Sequence, residues 1–216
     1  MYEILWKLNV MGVIPVVSIP SPEDAPRLGE ALLEGGLPCA EITFRTSAAA
    51  EAIRNLVQAY PEMLVGAGTV LSIGQAETAV DAGAKFIVSP GFDQKIVTWC
   101  IEKGVAVTPG IATPTEINMA LEHNLKVLKF FPAEAFGGVK TLKAISAPFR
   151  EVKFIPAGGI NQENLADYLR LPTVIACGGS WLVKRRLIEE GKFKEITNLT
   201  IAASEIVKEV RSGWEN

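Results

Sequence analysis

Short apolar runs alternate with longer amphipathic segments along the whole chain. The runs are rich in apolar residues and either end in glycine, proline, serine or threonine or have one of them within the next two residues, which is typical of buried strands. Eight such runs lie at residues 12–18, 39–43, 63–67, 85–88, 105–108, 126–130, 152–156 and 174–177. The segments between them have helical periodicity. The pattern therefore predicts repeated strand–helix units that build a parallel sheet.

Helix-boundary signals support this division of the chain. Thr113, Pro114 and Glu116 have the spacing of a capping box with proline in the first turn. Ser21 and Pro22 predict another helix start, and that helix is expected to stop before the glycines at 35 and 36. A last helix is predicted over residues 193–211.

The number of units favours a closed architecture. Eight units in 216 residues leave about 27 residues each, close to the minimum for a strand, a helix and two short loops. No linker or charge block divides the chain. We therefore predict an α/β protein with a (β/α)8 TIM barrel, forming a single domain over residues 1–216. An open doubly wound sheet uses the same unit and remains the structural alternative.

Composition excludes several classes of protein. With 49% hydrophobic and 21% charged residues and a net charge of -3, the chain is too apolar for disorder and too acidic for a typical nucleic-acid binder. No apolar run reaches the roughly 20 residues of a membrane-spanning helix. We expect a cytoplasmic protein with no nucleic-acid or membrane partner. One histidine and three widely spaced cysteines predict no metal site.

Charged residues within two of the predicted strands are candidates for the chemistry. In this type of barrel the active site lies at the carboxyl ends of the strands. Lys129 lies within run 126–130, where burial penalises the ammonium and favours the neutral amine that forms a Schiff base with a carbonyl substrate. Glu41 lies within run 39–43 and is a candidate for proton transfer. The alternatives are a lysine that extends to the barrel mouth and a purely structural salt bridge.

Further strand ends carry residues that suit an anionic ligand. Arg45 is a candidate for binding a carboxylate, and Thr69 offers a hydroxyl. The pairs Gly158 with Gly159 and Gly178 with Gly179, the second followed by Ser180, offer backbone amides where barrels often bind phosphate. Alternatively, these glycines only permit tight turns.

These strand ends together resemble those of the KDPG/KHG aldolases, the family of 2-keto-3-deoxy-6-phosphogluconate (KDPG) and 4-hydroxy-2-oxoglutarate (KHG) aldolases. The similarity covers nearly the whole chain. The matching segments are residues 41–46 (EITFRT), 65–70 (VGAGTV), 89–91 (SPG), 109–111 (PGI), 129–134 (KFFPAE), 156–160 (PAGGI) and 178–183 (GGSWLV).

The resemblance implies a class I aldolase without metal or other cofactor, which cleaves KDPG reversibly to pyruvate and glyceraldehyde 3-phosphate. It implies that Lys129 forms the Schiff base and Glu41 is the general acid/base. The substrate, a keto-acid phosphate, is then bound by residues at the other strand ends. Arg45 and Thr69 would bind the carboxylate, Pro90 and Phe131 would shape the pocket, and Gly158, Gly159, Gly179 and Ser180 would bind phosphate. The family also implies a homotrimer.

Two positions depart from the family pattern. Ala157 stands where phosphogluconate-type relatives often have threonine, and the first strand ends without the arginine or lysine of several relatives. Phosphate binding then depends on backbone amides and on Lys184. Aldolases of KHG or of the galactonate epimer of KDPG are the nearest alternatives. A phosphosugar isomerase or epimerase, and a non-catalytic barrel that only assembles, are alternatives of other classes.

Overall fold

After the first helix, the strands and helices alternate largely as the sequence pattern predicts. A computed structural model describes residues 2–212. Its strands are β1 Val13–Val17, β2 Cys39–Thr43, β3 Leu64–Gly68, β4 Phe86–Val88, β5 Ala106–Thr108, β6 Gly110–Ile111, β7 Val127–Phe130, β8 Lys153–Pro156 and β9 Cys177–Gly179. Its helices are α1 Tyr2–Met11, α2 Ala25–Glu34, α3 Ala49–Ala59, α4 Ile73–Asp81, α5 Gln94–Glu102, α6 Pro114–Glu122, α7 Gly138–Ser146, α8 Leu165–Leu169, α9 Arg185–Glu189 and α10 Phe193–Ser212.

The strands form two parallel sheets that continue into each other. One has the order β5-β4-β3-β2-β1-β9 and the other β6-β7-β8. Pro109 separates β5 from β6, and its carbonyl accepts a hydrogen bond of 3.0 Å from the Lys129 amide, so β7 joins the edge where the first sheet ends. Two isolated bridges connect the region of β8 with β9 and the residues just before it. One joins Phe154 to Val174 and the other joins Ala157 to Gly178. The α/β class with a curled parallel sheet is confirmed.

Two groups of buried apolar residues lie on opposite faces of the curled sheet. The larger group fills the space between strands and helices. The smaller one, the interior cluster, consists of Leu8, Ile14, Cys39, Leu64, Phe86, Val88, Ala106, Ile155 and Ala176, with Val127 packed against it. Residues two apart on a strand share a face. Glu41 therefore shares the face of Cys39, and Lys129 shares the face of Val127.

Helix α1 was not predicted from the sequence. Its Leu8 is fully buried in the interior cluster, but Trp6 and Val10 are 62% and 53% exposed. The apolar residues of α1 thus do not form one buried stripe, which is the signal that helix prediction uses. Within residues 2–212 no helix is both long and apolar enough to cross a membrane.

The last strand lies further along the chain than predicted. The predicted strand at 174–177 is wrong in its bounds, because Val174 forms only an isolated bridge to Phe154, while Cys177 and Gly179 pair with β1. Glycine is rare in strands, so its presence at 178 and 179 made a loop the natural prediction. The capping box is confirmed, since the Thr113 and Glu116 side chains each accept the other residue's backbone N–H.

Candidate active site

Lys129 and Glu41 meet on the inner face of the curled sheet. The Lys129 Nζ lies 3.4 Å from the Glu41 Oε1, and their side chains are 8% and 5% exposed. The two residues come from β7 and β2, which are not neighbouring strands, so the contact crosses the interior above the apolar cluster. A buried amine and a buried carboxylate are each costly alone, and this pairing offsets part of that cost.

A glycine in β3 leaves the space that the Glu41 side chain occupies. A Cβ added to Gly68 would lie 2.0 Å from the Glu41 Oε1, a distance that real atoms do not adopt. Gly66, two residues earlier on the same face, similarly accommodates the Phe86 ring at 2.3 Å from its added Cβ. This role of Gly68 was not predicted from the sequence, although alternate glycines inside a strand are a known signal of close approach.

Phe131 connects the lysine with the glycines that follow β8. The Lys129 Nζ lies 5.2 Å from the centre of the Phe131 ring. The same ring packs on Gly158, where an added Cβ would lie 3.2 Å from ring carbons. The Pro90 carbonyl packs against Gly110, which is the register partner of Lys129 on the neighbouring strand. Both predicted pocket residues are thus close to the lysine strand.

Gly158 and Gly159, which we call the glycine loop, have backbone angles that favour glycine. Their φ values are +93° and +87°. The bridge between Ala157 and Gly178 brings this loop beside the end of β9. Among the hydrogen bonds of residues 2–212, none is donated by the backbone amides of Gly158, Gly159 or Ser180. Successive unpartnered amides of this kind form a concave surface suited to an anion.

Gly179 and Ser180 differ in their surroundings. Gly179 is buried, and the Trp181 ring packs where its Cβ would lie, at 2.1 Å. Ser180 is exposed, and its carbonyl accepts the Val183 amide at 3.3 Å. The Trp181 Nε1 is buried without a partner within residues 2–212. Gly179 therefore shapes the turn that presents Ser180 at the strand end.

Arg45 and Thr69 follow β2 and β3 at the same end of the sheet. Arg45 is exposed just after β2 and forms no ion pair or hydrogen bond with another residue of the described chain. Thr69 is half-buried directly after β3 and has an unusual φ of 55° for a residue other than glycine. Their predicted function as carboxylate ligands stays a prediction. Among residues 2–212 no group of three or more His, Cys, Asp or Glu side chains is arranged to hold a metal.

Comparison with known proteins identifies the family. The sequence profile of the KDPG and KHG aldolases matches residues 4–199. A 2-dehydro-3-deoxy-phosphogluconate aldolase of Treponema pallidum is 47% identical over 207 residues, which cover 96% of this chain and 99% of the relative. The chain belongs to the KDPG and KHG aldolase family. The resemblance inferred from the strand-end segments is confirmed.

Other members of the family agree over nearly the same length. The KHG/KDPG aldolase of Escherichia coli K12 is 43% identical over 201 residues, 93% of this chain and 94% of the relative. A crystal structure of KDPG aldolase from Legionella pneumophila, with pyruvate captured as a covalent carbinolamine intermediate, has a TM-score of 0.90 and 40% identity, and covers 93% of this chain and 97% of that chain.

Proposed function

We propose that this member of the KDPG and KHG aldolase family is a class I aldolase, an aldehyde-lyase. It cleaves 2-keto-3-deoxy-6-phosphogluconate reversibly to pyruvate and glyceraldehyde 3-phosphate. The observation that carries the proposal is the buried contact of 3.4 Å between the Lys129 amine and the Glu41 carboxylate. Further support comes from the Legionella relative, which holds pyruvate as a covalent carbinolamine.

The first chemical step forms the Schiff base. The neutral Lys129 amine attacks the C2 ketone, and a proton passes from nitrogen to the former ketone oxygen through Glu41. A further proton, delivered from solvent through Glu41, lets the hydroxyl leave as water and gives an iminium ion joined to Lys129. Glu41 is suited to this transfer, because a carboxylate in hydrogen-bond reach of the nucleophile acts as base and acid in turn.

The second step breaks the bond between C3 and C4. Glu41 removes the proton of the C4 hydroxyl, the C4–O bond becomes a carbonyl, and the electron pair of the C3–C4 bond moves into the iminium. Glyceraldehyde 3-phosphate leaves, and an enamine of pyruvate remains on Lys129. Glu41 returns its proton to C3, and a water molecule hydrolyses the iminium to release pyruvate.

The other strand-end residues hold the substrate at both ends. Arg45 and Thr69 bind the carboxylate, and Pro90 and Phe131 enclose the carbons beside Lys129. The amides of Gly158, Gly159 and Ser180, together with the turn that Gly179 permits, bind the phosphate. Fixing both ends keeps the scissile bond beside Lys129 and Glu41, which is where orientation contributes most to the rate.

The proposal includes the architecture that such a site requires. The curled sheets close into one (β/α)8 barrel in which β5 and β6 act as a single strand, and the bridges from β8 to the β9 segment support this closure. Residues 1–216 form one domain. We also propose a homotrimer that acts in the cytoplasm on a small keto-acid phosphate and requires no cofactor.

Borohydride trapping with pyruvate tests the Schiff base directly. Reduction should leave a stable adduct on the peptide that contains Lys129, and Lys129→Ala should abolish both the adduct and turnover. Lys85→Ala is the matched control, since Lys85 is exposed beside the amino end of β4, away from the strand ends that carry the site. A Lys129 peptide without adduct would refute the mechanism and favour an isomerase, an epimerase or a non-catalytic barrel.

Substrate preference needs a separate comparison. The strand-end segments that would bind phosphate contain no charged side chain, because Ala157 precedes the glycine loop and β1 is followed by Ser18 and Ile19. This favours KHG as a second candidate substrate. Steady-state kinetics with KDPG, its galactonate epimer and KHG should give the highest kcat/KM for KDPG. A ranking led by unphosphorylated KHG would overturn the substrate assignment and leave the lysine chemistry intact.

A further inference from the structure

Glu134 lies against the glycine loop. It follows β7, the strand of Lys129, and its backbone N–H donates to the Gly158 carbonyl at 3.0 Å. The side chain packs on the next residue, since a Cβ added to Gly159 would lie 2.5 Å from the Glu134 Cβ and 2.6 Å from its Cγ. The carbon atoms that carry the Glu134 carboxylate thus pack against Gly159, one of the residues proposed to bind phosphate.

Tyr168 of α8 holds that carboxylate. Its hydroxyl donates a hydrogen bond to the Glu134 Oε1, and its side chain is fully buried. Burial, followed by the neighbouring Glu134, raises the pKa of Tyr168, so the phenol remains a donor throughout the neutral range. Gly138 completes the arrangement, because an added Cβ there would lie 2.7 Å from the Glu134 Oε1 and 3.1 Å from the Tyr168 hydroxyl.

The carbonyl groups of the glycine loop are fixed on the protein side. The Gly158 carbonyl accepts from Glu134, and the Gly159 carbonyl accepts from the Asn164 Nδ2 at 3.1 Å. Asn164 is fixed in turn, because its Oδ1 accepts the Asn161 amide at 2.9 Å. With both carbonyls bound, the unpartnered amides of the loop are the groups left for an anion.

A free carboxylate beside this loop would repel a phosphate. Two negative charges a few ångströms apart near a protein surface repel each other, unless solvent or a fixed geometry separates them. We propose that Tyr168 is a positioning residue that ties the Glu134 carboxylate away from the phosphate of the substrate, so that Glu134 supports the glycine loop without opposing the anion. The inference rests on the proposed phosphate function of Gly158 and Gly159.

Tyr168→Phe removes only the hydroxyl that holds Glu134. We expect it to raise the KM for KDPG and the inhibition constant of inorganic phosphate on the order of tenfold, the effect of about 1.4 kcal/mol of added repulsion. The KM for unphosphorylated KHG and borohydride trapping with pyruvate should not change. Tyr60→Phe is the matched control, since Tyr60 is half-buried at the end of α3 and should change none of these values.

Removing the negative charge of Glu134 should reverse the effect of Tyr168→Phe. Glu134→Gln in the Tyr168→Phe background should restore the KM for KDPG, because the amide carries no charge. Glu134→Gln alone changes an exposed residue and should leave this KM at or below the wild-type value. A double variant that stays impaired, a raised KM in Glu134→Gln, or equal losses for KDPG and KHG would overturn the proposal.

The same measurements separate this inference from the proposed function. If wild-type protein forms no adduct with pyruvate, the aldolase proposal fails. If it forms the adduct but inorganic phosphate does not compete with KDPG, the phosphate binds elsewhere and the positioning proposal alone is overturned. Thermal unfolding of each variant identifies a loss caused by misfolding. If Tyr168→Phe does not fold, Glu134→Gln alone still decides, since a raised KM there contradicts the proposal.

Discussion

A methyl group at position 68 should separate the proton-transfer function of Glu41 from Schiff-base formation. The Cβ of Gly68→Ala would lie 2.0 Å from the Glu41 Oε1 and 2.7 Å from its Cδ, whereas ordinary contacts begin at 3.4 Å. The carboxylate must therefore move by more than 1 Å. Gly68 does not have the left-handed backbone that would exclude alanine, so the displaced carboxylate is the main consequence.

The size of the effect follows from that displacement. Moving a group by about 1 Å costs about 10²-fold in rate, and complete loss of a general acid/base costs roughly 10²–10⁴-fold. We expect kcat/KM for KDPG cleavage to fall about 10²–10³-fold in Gly68→Ala. Borohydride trapping of pyruvate on Lys129 should persist at a reduced rate, because the methyl group displaces Glu41, which also transfers the proton during Schiff-base formation, and leaves the Lys129 amine in place.

Two assays measure cleavage and proton transfer independently. Cleavage is followed by coupling pyruvate release to lactate dehydrogenase, and proton transfer by hydrogen–deuterium exchange at the pyruvate methyl group in NMR spectra. Gly74→Ala is the control, since nothing lies within 4 Å of a Cβ added there. Methyl exchange at the wild-type rate in Gly68→Ala would refute the role of Gly68 in positioning Glu41.

Three further predictions concern individual side chains. Glu41→Gln should retain slow trapping of pyruvate but slow methyl exchange in NMR spectra by about 10²–10⁴-fold, and normal exchange would exclude Glu41 as the proton shuttle. Burial raises the pKa of Cys39 and of Cys100 to about 12 and also raises that of Cys177, so a chromogenic disulfide reagent at pH 8 should react with no thiol until the protein is unfolded; rapid reaction of the native protein would contradict this burial. Lys184→Gln should raise the KM for KDPG and weaken its salt dependence, whereas Arg186→Gln should not, since Arg186 pairs with Glu190; equal effects would remove Lys184 from phosphate binding.

Strand positions and the two central residues were predictable from the sequence for the same reason. Buried parallel strands require short apolar runs, and the connections require glycine or proline, so both leave a visible pattern. A lysine or a glutamate inside such a run has a large cost unless it is paired or functional. Because of this cost, Lys129 and Glu41 are conspicuous in the sequence alone.

Contacts between distant segments could not be predicted in this way. Lys129 and Glu41 are 88 residues apart, and no periodicity indicates that β7 and β2 face each other across the interior. The link from Tyr168 through Glu134 to Gly159 joins three separate segments, none of which is unusual alone. The resemblance to the family indicated that Lys129 and Glu41 act together, but the space that Gly68 leaves for the Glu41 side chain is evident only from the structure.

We expect the buried pair of Lys129 and Glu41 to be required for activity without adding to the stability of the fold. Removing two charges from water often costs more than their mutual attraction returns, so replacing a buried ion pair by apolar residues of similar size is neutral or stabilising by about 1–4 kcal/mol. Removing one partner leaves a buried charge and typically costs about 3–5 kcal/mol. Glu41 lies on the strand face of Cys39 and Lys129 on that of Val127, two residues of or against the apolar interior cluster.

Substituting both residues by methionine tests this expectation. The double variant Lys129→Met with Glu41→Met should have a free energy of unfolding, measured in denaturant, equal to or above that of the wild type. It should show no detectable cleavage of KDPG. Glu41→Met alone should be less stable than both the wild type and the double variant, because it leaves the buried Lys129 side chain without its partner. If the double variant is less stable than the wild type, the pair contributes net stability, and its retention would need no functional explanation.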